Sequence, residues 1–552
     1  MIQPEFKSLN TILSDKLFSI PEYQRHYSWQ TKQRQDLFGD IKKLSEAKRD
    51  SHFMATIVCL NTQTSEITGS DNFYVHDIVD GQQRLTTLVI LLKAISLKLR
   101  GDGQIAEADK LDDLLVKGDK RLIILQNNHG NKSLLRSFLE LNDAEKADNF
   151  YQKTDQKFET VADKNLCQAI KDCNEFVNTV SNTIDLLGLV KNKLWFIFLS
   201  LQDKSSVYTI FEVLNSRGLD VDWLDKCKSI LMGLLYETAQ NRAIFDQHLK
   251  ELQGSWSAIY REIGHEGNIA GHEIVRFTAT LMNVDGGFGK VMNTEEALEF
   301  FKKACEEKEE STTRYSIGKI IDITEKLKKT TSCLSQLYKN KRLSAVAEIS
   351  QARLLAVSIM STDLDEVTKN KLLDQWERTS FKIYGLFKKD SRTKVGDYVR
   401  VAKYIQDSSS SSVDELIKLI ADIARDETGA IVFDINSSVI DEEMKKDCYN
   451  NGWDKKLRYF FYKYEEYLAK KMGYKLNDIA WSDIWNSSLS KTIEHVLPQN
   501  RNAKEGWGHF SAEEHTKYLH SIGNLCLLPQ HVNLKASDNS FDIRLVLTLK
   551  NN

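Results

Sequence analysis

Proline is nearly absent from this chain, with four in 552 residues: Pro4, Pro21, Pro498 and Pro529. Proline removes a backbone donor and breaks helices, so long stretches without it suit a mostly helical protein. The eight cysteines are scattered, with no Cys-x-x-Cys pair. That argues against a four-cysteine zinc site and a disulfide framework, and it fits a reducing, cytoplasmic setting. There is no unbroken apolar run of membrane-spanning length, and the opening MIQPEFKSLN lacks the apolar core of an export signal. Neither a membrane nor export is expected. A surplus of one charge is missing too, since 75 Lys and Arg face 78 Asp and Glu for a net charge of −3. Without a global basic footprint, any DNA contact must come from local patches. What remains is an ordinary globular composition, 41% hydrophobic and 28% charged, long enough for roughly three or four domains.

Residues 16–29, KLFSIPEYQRHYSW, read as a short strand ending at Ile20, a turn forced by Pro21 and a polar-aromatic cluster from Tyr23 to Trp29. A helix around Gln33–Leu44, a strand at His52–Leu60 and a polar loop over 61–72 follow. This alternation indicates a small α/β unit. Residues 100–190 read as a helical insertion, after which LWFIFLSL (194–201) returns as a buried strand. Residues 205–235 read as helix, loop, helix, broken at Asn215-Ser216-Arg217-Gly218, where the glycine also suits a plain C-cap. From 240 to 405 the pattern is helical. Within it, 376–403 carries eight Lys and Arg, including Lys388, Lys389, Arg392 and Lys394, against Glu377, Asp390 and Asp397. Such a run tracks phosphates or is simply a solvated helix face. The serines 408–412 form a linker, and Ser412 with Glu415 opens a helix. A further helix, Leu457–Met472, is expected to bury Leu457, Phe461, Tyr464 and Leu468. The expected class is α+β and predominantly helical. The expected division is 1–238 with its insertion, a helical middle over 239–407, and a helical domain over 413–552.

Two stretches carry chemistry. The first is HDIVDGQQRLTTL (76–88), which reads as a strand entering an Asp80-Gly81 turn and leaving as a helix, with apolar residues at 85, 88, 92, 95 and 99. Glycine allows the tight turn, and a helix N-terminus offers unpaired N–H groups to an anion. Arg84 adds a forked cation suited to phosphate. A capped surface turn would use the same residues.

The second stretch is KTIEHVLPQN (491–500), a polar loop, then SIGNLCLLPQHVN (521–533). His495 precedes Asn524 by 29 positions, and Asn533 follows nine later. A histidine beside a scissile phosphate can take a proton from water. Glu494 and the amide oxygen of Asn533 are hard donors for a divalent ion such as Mg²⁺ or Mn²⁺. Asn524, in a Gly-Asn-Leu turn, is expected to brace the loop through side-chain to backbone bonds. His509, His515, His520 and His531 read as ordinary loop histidines.

The order and spacing of this second stretch (491–545) resemble the HNH, or ββα-metal, endonuclease motif. The resemblance implies Glu494 and Asn533 as metal ligands, His495 as general base and Asn524 as a structural residue. One departure is Phe541-Asp542-Ile543-Arg544, where many relatives carry Phe-x-x-Lys; arginine keeps the charge but not the geometry of lysine.

Together with IPEYQRHYSW, DGQQRLTTL and FEVLNSRG, the chain resembles GmrSD-type restriction proteins, with a ParB-like N-terminal domain and a C-terminal HNH domain. SspE-like phosphorothioate-sensing proteins are similar. The resemblance implies a bacterial anti-phage protein that recognises modified double-stranded DNA, binds or hydrolyses an NTP (GTP or another), and cuts or nicks DNA. It implies Asp80, Gly81, Gln82, Gln83 and Arg84 as the nucleotide site, with Arg25, Asn215 and Arg217 contributing. Tyr23 and Gln24 would help to read a DNA modification, with a packed aromatic corner as the alternative for that cluster. A double-strand cut from one HNH site needs two copies, as in a homodimer, or two successive nicks. An alternative to the endonuclease is a DNA-modification sensor with an NTPase switch and a silent nuclease.

Overall fold

The computed structural model describes residues 4–21, 24, 26–46, 51–118, 122–127, 132–143, 161–202, 222–238, 242–266, 268–283, 289–309, 312–407, 412–426, 428–430, 432–433, 438–451, 453–476, 482–485, 487–500 and 510–528. The chain divides into two units, Met1–Ala279 with Met292–Ser335, and Thr280–Val291 with Gln336–Asn552. The helical segment 239–407 contributes to both. The protein is α+β and predominantly helical, with one sizeable sheet.

That sheet, in the first unit, has six strands in the order Glu5–Ser8, Leu194–Leu201, His52–Thr68, Asp71–Asp80, Lys16–Ile20, Leu125–Asn127. It is mixed: Lys16–Ile20 runs parallel to Asp71–Asp80, and His52–Thr68 parallel to Leu194–Leu201, while His52–Thr68 and Asp71–Asp80 form an antiparallel hairpin. Residues 61–68, expected as loop, extend this hairpin. Their threonines suit an extended backbone, and the pairing slips at Asn61/Ser65, where Gln63 takes a φ of 60°. The edge strand Leu125–Asn127 was also not anticipated within the helical insertion.

The helix Gln82–Gly101 is the centre of this unit. Leu85, Leu88, Leu92, Ile95 and Leu99 are all fully buried, and so are Val89, Ile90, Leu91 and Ala94. A helix that is apolar on every side belongs inside a core rather than on its surface. Its buried Lys93 is neutralised by Asp112 at 2.7 Å. The insertion is tied down by a second buried pair, Arg34 with Asp172 at 2.7 Å. Removing one partner of such a pair leaves an uncompensated charge and costs roughly 3–5 kcal/mol.

In the second unit, helix Asp454–Met472 packs Leu457 and Phe461, with Trp453 just before it, against a short antiparallel pair, Ile493–His495 and Leu525–Leu527. Tyr464, expected on the buried side, is 52% exposed. The buried line follows positions 453, 457 and 461, and Tyr464 lies off it. Phe381 and Leu386, from the π-helical turn Phe381–Leu386 at the head of the basic run, pack against the same cluster. Among the described residues, no helix is long and apolar enough to cross a membrane.

Candidate functional sites

In the first unit Asp80 ends its strand and Gly81 turns the chain at φ 89° into helix Gln82–Gly101, so the N-cap position itself has no side chain to cap the helix. A β-carbon at Gly81 would lie 3.3 Å from both Ile57 Cγ1 and the Thr56 carbonyl oxygen. The turn is therefore glycine-specific by conformation and crowded by the neighbouring strand.

Gln83 faces inward and holds the aromatic segment before the next helix. Its Oε1 accepts from the N–H of Ser28 at 2.8 Å and of Trp29 at 3.2 Å, and its Nε2 donates to the His26 carbonyl at 3.0 Å. The Tyr27 hydroxyl meets Thr87 Oγ1 at 2.8 Å, and burial pushes that phenol up to about 12. Gln24 is buried and donates from Nε2 to the Val79 carbonyl at 3.2 Å, next to Asp80. Gln82 is buried as well. Arg84 is half-buried, its guanidinium 5.9 Å from the Trp29 ring centre. Burial lowers its pKa, while the carboxylates of Asp80 and Asp40 oppose the shift. Gln24, Asp80, Gly81, Gln82, Gln83 and Arg84 thus meet where strand becomes helix. Tyr23, Arg25, Asn215 and Arg217 lie outside the described residues.

On the His26–Gln30 segment borders a cavity of about 260 Å³ that sequence reasoning did not single out. Asp225, Tyr260 and His272 line it from helices further along the chain. The Tyr260 hydroxyl donates to Asp225 Oδ1, and the Tyr260 carbonyl lies 3.1 Å from His26 Nδ1. Burial lowers the His26 pKa below the ordinary histidine value, and the bond to the Tyr260 carbonyl opposes the shift.

In the second unit His495 ends the strand Ile493–His495, opposite Leu525. It is 3% exposed. Asn524 ties the chain leaving His495: its Oδ1 accepts from Leu497 N–H at 2.6 Å, and its Nδ2 donates to the carbonyls of Leu497 at 3.2 Å and Leu519 at 2.7 Å. These are the side-chain to backbone bonds expected of a bracing amide. Glu494 is half-buried beside Tyr449, whose phenol is raised first by burial and then by the Glu494 carboxylate. Asn533 and Phe541–Arg544 lie outside the described residues.

His520, read from sequence as an ordinary loop histidine, is in direct contact with His495. Its Nδ1 lies 3.0 Å from His495 Nε2, and its ring stacks on Tyr449 at 5.6 Å and 13°. Tyr449 also meets the His495 ring edge-on at 4.7 Å. Gln499 closes the other side, its Nε2 3.0 Å from His495 Nδ1. No sequence spacing signals which of several loop histidines folds back. His515 does keep a structural role, buried with its Nε2 2.8 Å from the Pro498 carbonyl oxygen.

The basic residues of 388–394 are unequal. Arg392 pairs with Asp390 at 2.8 Å, and Lys394 pairs with Asp397 at 3.3 Å while donating to the Arg425 carbonyl. Lys389 is exposed, and the Lys388 ammonium sits 5.8 Å from the ring centre of Trp453. Half of the patch is thus already matched by carboxylates.

Residues 9–232 match the GmrSD restriction endonuclease N-terminal domain, and residues 434–545 match the GmrSD restriction endonuclease C-terminal domain. The two matches span well over half of the chain and hold both stretches described above. The chain belongs to the GmrSD restriction endonucleases. A restriction-type nuclease acts on DNA. No curated protein matches the chain.

Proposed function

We propose that this protein is an NTP-regulated, divalent-metal-dependent endonuclease that nicks or cuts modified or phage double-stranded DNA. In this reading the second unit cuts through an HNH-type site, and the first unit controls cutting through a nucleotide site at Asp80–Arg84. The observation that carries the reading is His495: a buried imidazole at a strand end, its following loop braced by Asn524, within the segment matched by the C-terminal nuclease domain.

As general base, His495 takes a proton from water as the water oxygen bonds to phosphorus. The bond from phosphorus to the leaving oxygen breaks, and that oxygen keeps the electron pair and collects a proton from solvent. His495 then releases its proton to solvent. Glu494 would hold the divalent ion together with Asn533. One half-buried carboxylate suits an ion of the Mg²⁺ type, which keeps most of its shell as water and takes few protein ligands. When bound, the ion supplies charge stabilisation on the phosphate.

At the other site, Arg84 would pair with NTP phosphates at the helix terminus behind Gly81, GTP being one candidate. Gln83 would shape the site through the His26–Trp29 backbone rather than by direct contact, since its amide already makes three such bonds. Arg25, Asn215 and Arg217 would add contacts, while Tyr23 and the cations Lys388 and Lys389 would meet DNA and the buried Gln24 would shape that surface through its bond to the Val79 carbonyl. Two copies or two successive nicks would give a double-strand break.

The test is cleavage of plasmids that are unmodified, phosphorothioated, hydroxymethylated or glucosylated, with and without each NTP. Wild type should produce nicked or linear DNA, and His495→Ala should produce none. Equal cleavage by the two proteins sinks the reading. A DNA-modification sensor with a silent nuclease is favoured by one observation, that both His495 ring nitrogens already have partners. NTP turnover that responds to DNA without strand breaks on any substrate would select that reading.

A further inference from the structure

Each ring nitrogen of His495 has a polar side chain at hydrogen-bonding distance, Gln499 at Nδ1 and His520 at Nε2. Gln499 presents amide nitrogen Nε2 to His495 Nδ1 at 3.0 Å. With the amide nitrogen toward the ring Gln499 donates, and in that arrangement Nδ1 accepts and carries no proton. In a neutral imidazole the proton then sits on Nε2, which donates to His520 Nδ1 at 3.0 Å. The two ends of this chain differ in how firmly they are held. Gln499 is exposed and joined to a flexible stem. His520 is anchored twice: its carbonyl accepts the N–H of Cys448 at 2.8 Å, and its ring stacks on Tyr449. Cys448 in turn is fully buried in the cluster formed by Trp453, Leu457, Ile493 and Leu525. The acceptor that holds the Nε2 proton is therefore attached to the core, and the group opposite the Nδ1 lone pair is the exposed one.

We infer that His520 is a positioning residue for DNA cleavage, holding His495 in the tautomer whose Nδ1 accepts the proton of the attacking water once the Gln499 side chain swings aside. This rests on the reading of His495 as general base. When Nδ1 takes that proton, the ring becomes an imidazolium whose Nε2–H still donates to His520 Nδ1, so the bond on that side is kept through the reaction. Without His520 the proton is free to sit on Nδ1, and the base is then blocked on the side that faces outward.

Two substitutions at His520 in the full-length protein separate this role from packing. His520→Asn puts an amide oxygen close to where Nδ1 stands, and His520→Leu fills the space without an acceptor. Cleavage turnover should fall about 10- to 100-fold in His520→Leu, the usual scale for losing such a support, with plasmid affinity unchanged. His520→Asn should recover most of the turnover. Thermal unfolding of both variants reports whether they fold as wild type does.

Full turnover in a folded His520→Leu overturns the inference. So does equal loss in both variants, because packing on Tyr449 would then be the cause. A second readout is independent of cutting: ¹⁵N spectra of the histidine-labelled protein, with the His495 signals identified through His495→Ala. Wild type should show the proton on Nε2, and His520→Leu should show it redistributed to Nδ1. An unchanged tautomer overturns the inference even where cleavage depends on His495, whereas cleavage that ignores His495→Ala brings down the general-base reading itself.

Discussion

The side-chain oxygen of Gln83 accepts the backbone N–H of Ser28 across 55 positions of sequence, and the same amide donates to the His26 carbonyl. One side chain thus fixes the segment His26–Trp29 against the start of the central helix. Gln83→Leu fills the space but leaves those backbone groups unpartnered, at about 1–3 kcal/mol for each buried group. The expected result is a lower midpoint in urea unfolding. A midpoint equal to wild type would show that the bracket contributes nothing.

Arg84 stands at the same turn with its guanidinium near Trp29 and Asp80. Arg84→Ala should lower NTP turnover on the order of 10-fold or more, the effect of losing one hydrogen bond between charged groups. Arg84→Lys should recover little of it, because a point charge does not reproduce the fork. The far-ultraviolet spectrum should stay that of wild type, since the Arg84 side chain is only half-buried. Normal turnover in Arg84→Ala would refute the nucleotide site.

Asn524→Ala removes three hydrogen bonds to the backbone of Leu497 and Leu519. We expect roughly 2 kcal/mol of lost stability in the second unit, from partly buried groups that water satisfies only in part. Cleavage should also fall, because the chain leaving His495 loses its brace. Asn524→Asp keeps the acceptor for Leu497 N–H and should lose less than Asn524→Ala. Calorimetric unfolding and plasmid nicking on the same preparations measure both effects. Full nicking by Asn524→Ala would show that the brace is dispensable.

His76 lies between Phe18 and Phe198, each ring centre 6.2 Å away, and its Nδ1 donates to the Tyr74 carbonyl. Burial holds its pKa below the ordinary 6.5; the bond to Tyr74 opposes this, and Lys16 adds to it. The unfolded chain therefore binds a proton more readily than the folded one. Stability is fully present above pH 6.5 and declines as the pH falls from 6.5 through the folded value. His26, buried against Tyr260, shifts the same way and adds to the same window. His76→Phe should flatten part of this acid dependence in denaturant titrations between pH 7 and 5, a range set by the ordinary histidine pKa of about 6.5. An unchanged slope would count against burial as the cause.

How much of this was legible in the sequence varied with the length and purity of the pattern. Helix Gln82–Gly101 was clear from five apolar residues at helical spacing, and its glycine turn was clear as well. The outer half of the His52–Asp80 hairpin was not, because Thr62, Thr64, Ser65 and Glu66 have the composition of a loop and their pairing is a property of the partner strand. Leu125–Asn127 is too short to show any period. Tyr464 fits an apolar spacing by residue type, yet the helix rotation puts it in solvent. At the second site, the bracing of Asn524 followed from its turn. The contact of His520 with His495 did not, because it depends on Cys448 and Tyr449, which sequence spacing does not connect to either histidine.

Among the described residues the first strand, Glu5–Ser8, pairs only with Leu194–Leu201, with Glu5 opposite Phe198 and Ser8 opposite Trp195. During synthesis, that edge must wait for nearly two hundred further residues to emerge, roughly 10–40 s at ribosomal elongation rates. The strand His52–Thr68 waits for the same partner on its parallel side. Until then a growing chain exposes two unsatisfied strand edges together with Phe6 and Phe53, whose rings stay half-exposed even in the folded protein. The nascent first unit is therefore a stage at which open strand edges can mispair.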